Sequence, residues 1–207
     1  MNKLNESLKK IWNSITLLEG TNWDELKAFL TKEGIEFNSV DWIGSGEYGN
    51  AYSLGNGKVF KITTSENEFH VGSGLVGKNY PGLVQYYGYG WYSDKPKKYY
   101  LIMEELDVDS SIDDDLSRVE MILTTQGLGL SYEGLTYFDE DEYDGSEGEL
   151  DPDIQKFMEQ LRQIYISCQR IGVAVPDVNY GNLGYDKSGN LTLFDIQDRT
   201  AMRNRMW

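Results

Sequence analysis

GSGEYGNAYSLGNGKVFKI, residues 44–62, decides between two folds. Gly44, Gly46 and Gly49 have G-x-G-x-x-G spacing, and glycines let backbone amides approach phosphate oxygens closely. In a dinucleotide-binding unit a helix follows the third glycine. Here NAYSLGNGKVFKI follows instead, and it reads as two more strands around a GNG turn. The loop is then a strand-turn-strand flap, and the dinucleotide reading loses ground. A glycine-rich hairpin without a ligand has the same local pattern, so the loop alone leaves both readings open.

The β-rich pattern extends outward from Phe37 to Leu106, through VDWIG, LVQYYGYGWY and KYYLIMEEL, with DKPK as a second hairpin turn. One short helix interrupts it at SENEFHVGSGLVG, where Ser65 and Glu68 have capping-box spacing. Before the sheet, Leu4, Leu8, Ile11, Trp12, Ile15 and Leu18 recur at helical spacing. TNWDELKAFLTKEG then adds a second, capped helix closed by Gly34. Residues 1–36 thus read as a helical cap. After the sheet, residues 107–207 carry an acidic insertion at about 131–151, SYEGLTYFDEDEYDGSEGELD, whose composition suits a solvated loop. Helical order resumes in DPDIQKFMEQLRQIYISCQRIG, with Ile154, Phe157, Leu161, Ile164 and Cys168 on one face. A loop, VAVPDVNYGN, and a hairpin turning at KSGN complete the pattern.

The 207 residues suffice for one core or for one site between two small lobes. A net charge of −15 repels phosphate backbones and anionic lipid, so neither nucleic acid nor membrane is expected as a partner. No stretch is long and apolar enough to span a bilayer, and the start lacks a secretory apolar core, which points to the cytoplasm. With one cysteine, Cys168, and one histidine, His70, any metal would be hard and oxygen-bound.

Five further positions carry chemistry. Lys61 lies centrally in the apolar strand VFKIT, where a cation needs a phosphate or an acid to offset its desolvation; an edge strand facing water would need neither. Glu68 either turns inward to that lysine or closes the capping box. In PDVNYGN, Asp177 could orient an attacking hydroxyl and Asn182 could offer an oxygen to Mg²⁺, although Asp, Asn and Gly are also ordinary turn formers. Asp195 ends the apolar run LTLFD, where it could hold a phosphate-bridging cation or be a plain strand-ending aspartate. Their order is more specific than any member: glycine loop, strand lysine, helix glutamate, Asp-x₄-Asn loop, then Asp after an apolar strand.

That order resembles the protein-kinase-like superfamily over about Val40 to Asp198. The resemblance implies an α+β, bilobal protein-kinase-like fold: a β-rich N-lobe and hinge at 37–106, a reduced helical C-lobe at 107–207, and the helical segment 1–36 outside the match. It assigns GSGEYG to the phosphate-covering loop, Lys61 to the nucleotide phosphates and Glu68 to pairing with Lys61. Ala51 and Val59 fall in the adenine roof, Met103 at the gatekeeper position, and Glu104 to Leu106 at the hinge. Asp177 takes the catalytic aspartate's place, and Asn182 and Asp195 those of the Mg²⁺ ligands, with ATP as cosubstrate.

The departures bear on regulation. Val175 and Pro176 stand where His-Arg is usual, Asn179 where lysine is usual, and Ile196-Gln197 where Phe-Gly is usual. The sequence reaches Trp207 without an ordinary activation segment or later C-lobe helices, which is similar to the small protein kinases that phages make early in infection. The implied activity is Mg-ATP-dependent phosphorylation of serine or threonine in host proteins, in the host cytoplasm, with the acidic surface suited to a basic protein substrate. Two other functions fit: an acidic pseudokinase that sequesters a partner, and a small-molecule kinase, since DVNYGN equally resembles the loops of aminoglycoside and choline kinases.

Overall fold

The computed structural model describes residues 22–139, 150–173, 176 and 178–196. Five strands form one antiparallel sheet: β1 (Asp41–Ser45), β2 (Gly49–Ser53), β3 (Lys58–Thr63), β4 (Tyr86–Asp94) and β5 (Lys97–Glu104), in the order β1-β2-β3-β5-β4. The central runs of β3 and β5 read as nearly continuous apolar sequence because both faces are buried there, whereas the edge strands β1 and β4 carry exposed positions. On β3, Phe60 and Ile62 point outward and Val59 inward; on β5, Tyr100 points outward and Leu101 and Met103 inward. Lys61 shares the inward phase, on the central strand of the five, between Ala51 and Leu101.

The outer face is covered by helix α1 (Trp23–Lys32), whose Asn22 side chain accepts from the amides of Asp24 and Glu25. Leu26 and Leu30 pack with Tyr52, Leu54, Phe60 and Tyr100. Gly34, at φ 69°, turns the chain towards β1. The expected cap is thus part of the sheet's own core, and the first expected helix, within 1–21, lies outside the described residues.

Helix α2 (Glu66–Leu75) crosses the inner face, and the Ser65 hydroxyl caps it by accepting from the Glu68 amide at 3.2 Å. A larger core joins the sheet to α3 (Ser111–Thr125), α4 (Tyr132–Tyr137) and α5 (Pro152–Arg170), so it runs across the expected boundary at Leu106. On α5 the apolar face is buried as its spacing predicts, and Asp151 caps it with Pro152 in the first turn. The acidic insertion departs from expectation at its start. Residues 132–137 form a helix rather than a loop, because Ser131 caps it and Leu135 is fully buried. Residues 140–149 lie outside the described residues.

A short hairpin, β6 (Leu183–Tyr185) and β7 (Leu191–Leu193), returns to the sheet side of the molecule. Leu193 exchanges backbone hydrogen bonds with Val84 and Gly82, and Tyr185 with Asp107. These bonds fix the hairpin's own strands to the segments just before β4 and just after β5, and a cleft lies between the hairpin side and the sheet. No helix among the described residues is long and apolar enough to cross a membrane.

Candidate active site

The floor of the cleft is an ion triad. Lys61 Nζ lies 2.5 Å from Glu68 Oε1 and 3.0 Å from Asp195 Oδ1. Strand periodicity delivers the lysine, and the first turn of α2 delivers the glutamate. Glu68 therefore closes only half of a capping box: its amide is capped by Ser65, while its carboxylate turns inward to Lys61. Three charges sum to −1 in a mostly dry setting. Burial works against the Lys61 ammonium, yet Glu68 and Asp195 outweigh it and hold its pKa above the usual lysine value. Burial pushes Glu68 up, and Asp195 adds to the rise while Lys61 opposes it. Removing one member of such a buried pair typically costs about 3–5 kcal/mol.

The cleft encloses about 370 Å³, within the range of small-ligand sites. Ala51, Val59 and Met103 give it an apolar side, faced by Leu106 and Phe194, with Lys61, Asn182 and Asp195 as its polar groups. Gly44 and Gly46 line it with open space where a side chain would stand, and the Gly46 amide closes the turn on the Gly49 carbonyl at 2.9 Å. Gly49 has a different reason to be glycine: a Cβ there would lie 1.8 Å from the Ile62 carbonyl oxygen. At the hinge, the amides of Glu104 and Glu105 are already taken by the carbonyls of Gln85 and Gly57. The Leu106 amide makes no such bond among the described residues, which narrows the expected Glu104–Leu106 contact to carbonyls and that amide.

Asn182 ends a single 3₁₀ turn (Tyr180–Asn182), shaped by Asn179, whose side chain accepts from the Gly181 amide at 2.9 Å. The Phe194 amide donates to the Asn182 carbonyl at 2.8 Å, locking this loop to the segment bearing Asp195. Asp195 has φ 55°, the only positive φ at a non-glycine position among the described residues. Strain of this kind persists where the surroundings over-determine it. Asp177 lies outside the described residues. The other expected site residues line the cleft, except Glu68, which sits behind Lys61, and Glu105 of the hinge.

Two contributors escaped the sequence reading. The fully buried Thr63 hydroxyl donates to Glu68 Oε2 at 2.7 Å and accepts from the Ser65 amide at 3.0 Å. Its signal was available, since it stands two residues after Lys61 and so shares its face. Tyr86, 1% exposed on β4, lies within electrostatic reach of Glu68 and Asp195, and no spacing rule connects it to them.

The chain matches no family model and no curated protein. Among solved structures it is similar to a MAP kinase from Leishmania major, at 16% identity and a TM-score of 0.43, over 83% of this chain and 49% of that one. It thus spans about half the length of that kinase. At such low identity and similarity, the fold stands on the sheet, helices and hairpin themselves.

Proposed function

We propose that this chain is a Mg-ATP-dependent protein kinase that transfers the γ-phosphoryl group to serine or threonine hydroxyls. The observation that carries the reading is the Lys61–Glu68–Asp195 triad at the base of a cleft that also holds Asn182 and an open glycine turn. A buried lysine on a central strand, held charged by two carboxylates, suits a polyanion that must be gripped without screening by water.

The donor set fits the implied cofactors. Among the described residues no cluster of three or more His, Cys, Asp or Glu could hold a metal alone. Asn182 and Asp195 offer two hard oxygens on one side of the cleft, which is the share a protein supplies to Mg²⁺ when substrate phosphates supply the rest. When bound, the cation neutralises phosphate charge. Lys61 grips the α and β phosphates, Glu68 fixes Lys61, the open turn at Gly44 and Gly46 lets the backbone lie close over the phosphates, and Ala51, Val59 and Met103 hold the base. Asp177 orients the acceptor hydroxyl. A net charge of −15 favours a basic protein acceptor, from a host cell if the source is a phage.

The test incubates the protein with Mg²⁺ and γ-labelled ATP, with basic proteins, host lysate, aminoglycosides or choline as acceptors. Label should enter protein and vanish with Asp177→Ala, while Lys61→Ala should lower kcat/KM by about 10²–10³-fold. Label in a small molecule would move the assignment to that class. Nucleotide binding without transfer would make the chain a pseudokinase.

A further inference from the structure

Tyr86 is a fully buried phenol whose hydroxyl has no hydrogen-bond partner among the described residues. Its ring occupies the space where another helix would carry a side chain. A Cβ on Gly72 would lie 2.9 Å from Tyr86 Cε1 and equally close to Leu101. Gly72 is one turn along α2 from Glu68, so the missing side chain makes room for the Tyr86 ring one turn from the carboxylate that holds Lys61. Burial first, then the charges of Glu68 and Asp195, push its pKa well above the ordinary tyrosine value, so the group is always a donor.

The two Glu68 oxygens are unequally served. Oε2 accepts from Thr63, whereas Oε1 faces only the Lys61 ammonium among the described residues, and Asp195 also engages that ammonium. On the phosphotransfer reading, on which this inference rests, Lys61 turns part of its hydrogen bonding to phosphate. A buried carboxylate oxygen then loses a donor, while the buried Tyr86 hydroxyl holds an unused one.

We propose that the Tyr86 hydroxyl is a positioning donor for Glu68: it takes up Oε1, directly or through one water, as Lys61 engages the nucleotide, and so holds the lysine's partner in register. Tyr86 touches no substrate and acts through Glu68. The Gly72–Tyr86 exchange of small and large residues puts it there.

The experiment compares wild type, Tyr86→Phe, Glu68→Gln and the double variant by thermal melting with and without Mg-ATP, and by steady-state transfer. Phenylalanine keeps the ring against Gly72, so Tyr86→Phe should melt no lower than wild type. The proposal expects kcat to fall about tenfold, the weight of a hydrogen bond to a charged group, with KM for ATP changed far less. In the Glu68→Gln background the same substitution should cost much less, since its acceptor is altered. Unchanged kcat in Tyr86→Phe, or an equal loss in both backgrounds, would overturn the proposal while leaving the phosphotransfer reading intact. A wild-type protein that neither shifts with Mg-ATP nor transfers phosphate would overturn both.

Discussion

A Cβ on Gly49 would press into the Ile62 carbonyl, whereas one on Gly46 would meet nothing within 4 Å. The same motif therefore contains a glycine required by strand packing and a glycine required, on the proposed function, by the ligand. Gly46→Ala should leave stability within about 0.5 kcal/mol of wild type, as surface changes usually do, but weaken nucleotide binding. Gly49→Ala should lower the melting temperature before any ligand is added. Thermal melts with and without Mg-ATP separate the two. Thr63 gives a third residue-level expectation, because its hydroxyl serves Glu68 and the Ser65 amide at once. Thr63→Val keeps the shape and removes both bonds, leaving buried polar groups unpaired. A loss of about 1–3 kcal/mol in denaturant unfolding is expected.

The elements were legible where their period was unambiguous. On β3 and β5 the alternation sorts Val59, Lys61, Leu101 and Met103 from Phe60, Ile62 and Tyr100, and α5 buries the face its 3.6-residue spacing predicts. Placement was less legible than type. The sequence announces α1 by its Asn22 cap and Gly34 stop, yet nothing local says that it covers the outer face of the sheet. Helix α4 was hidden by composition: Tyr132–Tyr137 opens an acidic stretch, but one buried leucine and a serine cap suffice to fold a turn and a half against α5. If α1 belongs to the sheet's core, Leu30→Ala should destabilise the whole protein by about 2–5 kcal/mol, as fully buried leucines do. A detachable cap would instead leave the main unfolding transition where it was, so calorimetry decides.

At the scale of the molecule, the site was legible because its members are fixed by order along the chain, and the cleft brings Lys61, Asn182 and Asp195 together from segments more than a hundred residues apart. Tyr86 was not legible, because its relation to Glu68 exists only through a glycine on a neighbouring helix. Cys168 tests how far this core behaves as a unit. It is fully buried on α5, in the cluster that joins sheet and helices, and burial pushes its pKa up to about 12. An unfolded cysteine titrates near about 8.5, so the unfolded chain loses the thiol proton first as pH rises. The stability linked to this group is complete below about pH 8.5 and is lost progressively as pH climbs towards the folded value. Between pH 7.5 and 9.5 the thiol's own share of the loss should reach about 1.4 kcal/mol, on top of a share from tyrosines such as Tyr86 whose pKa burial also raises. Cys168→Ala should lower stability at every pH yet flatten that slope, as read from denaturant curves at the two pH values. In the native protein the thiol should react with a disulfide reagent only through global opening, with a rate that tracks the unfolding free energy. Fast labelling under native conditions, together with an unchanged pH slope in Cys168→Ala, would mean that α5 opens locally and that the core joining sheet and helices is not one cooperative unit.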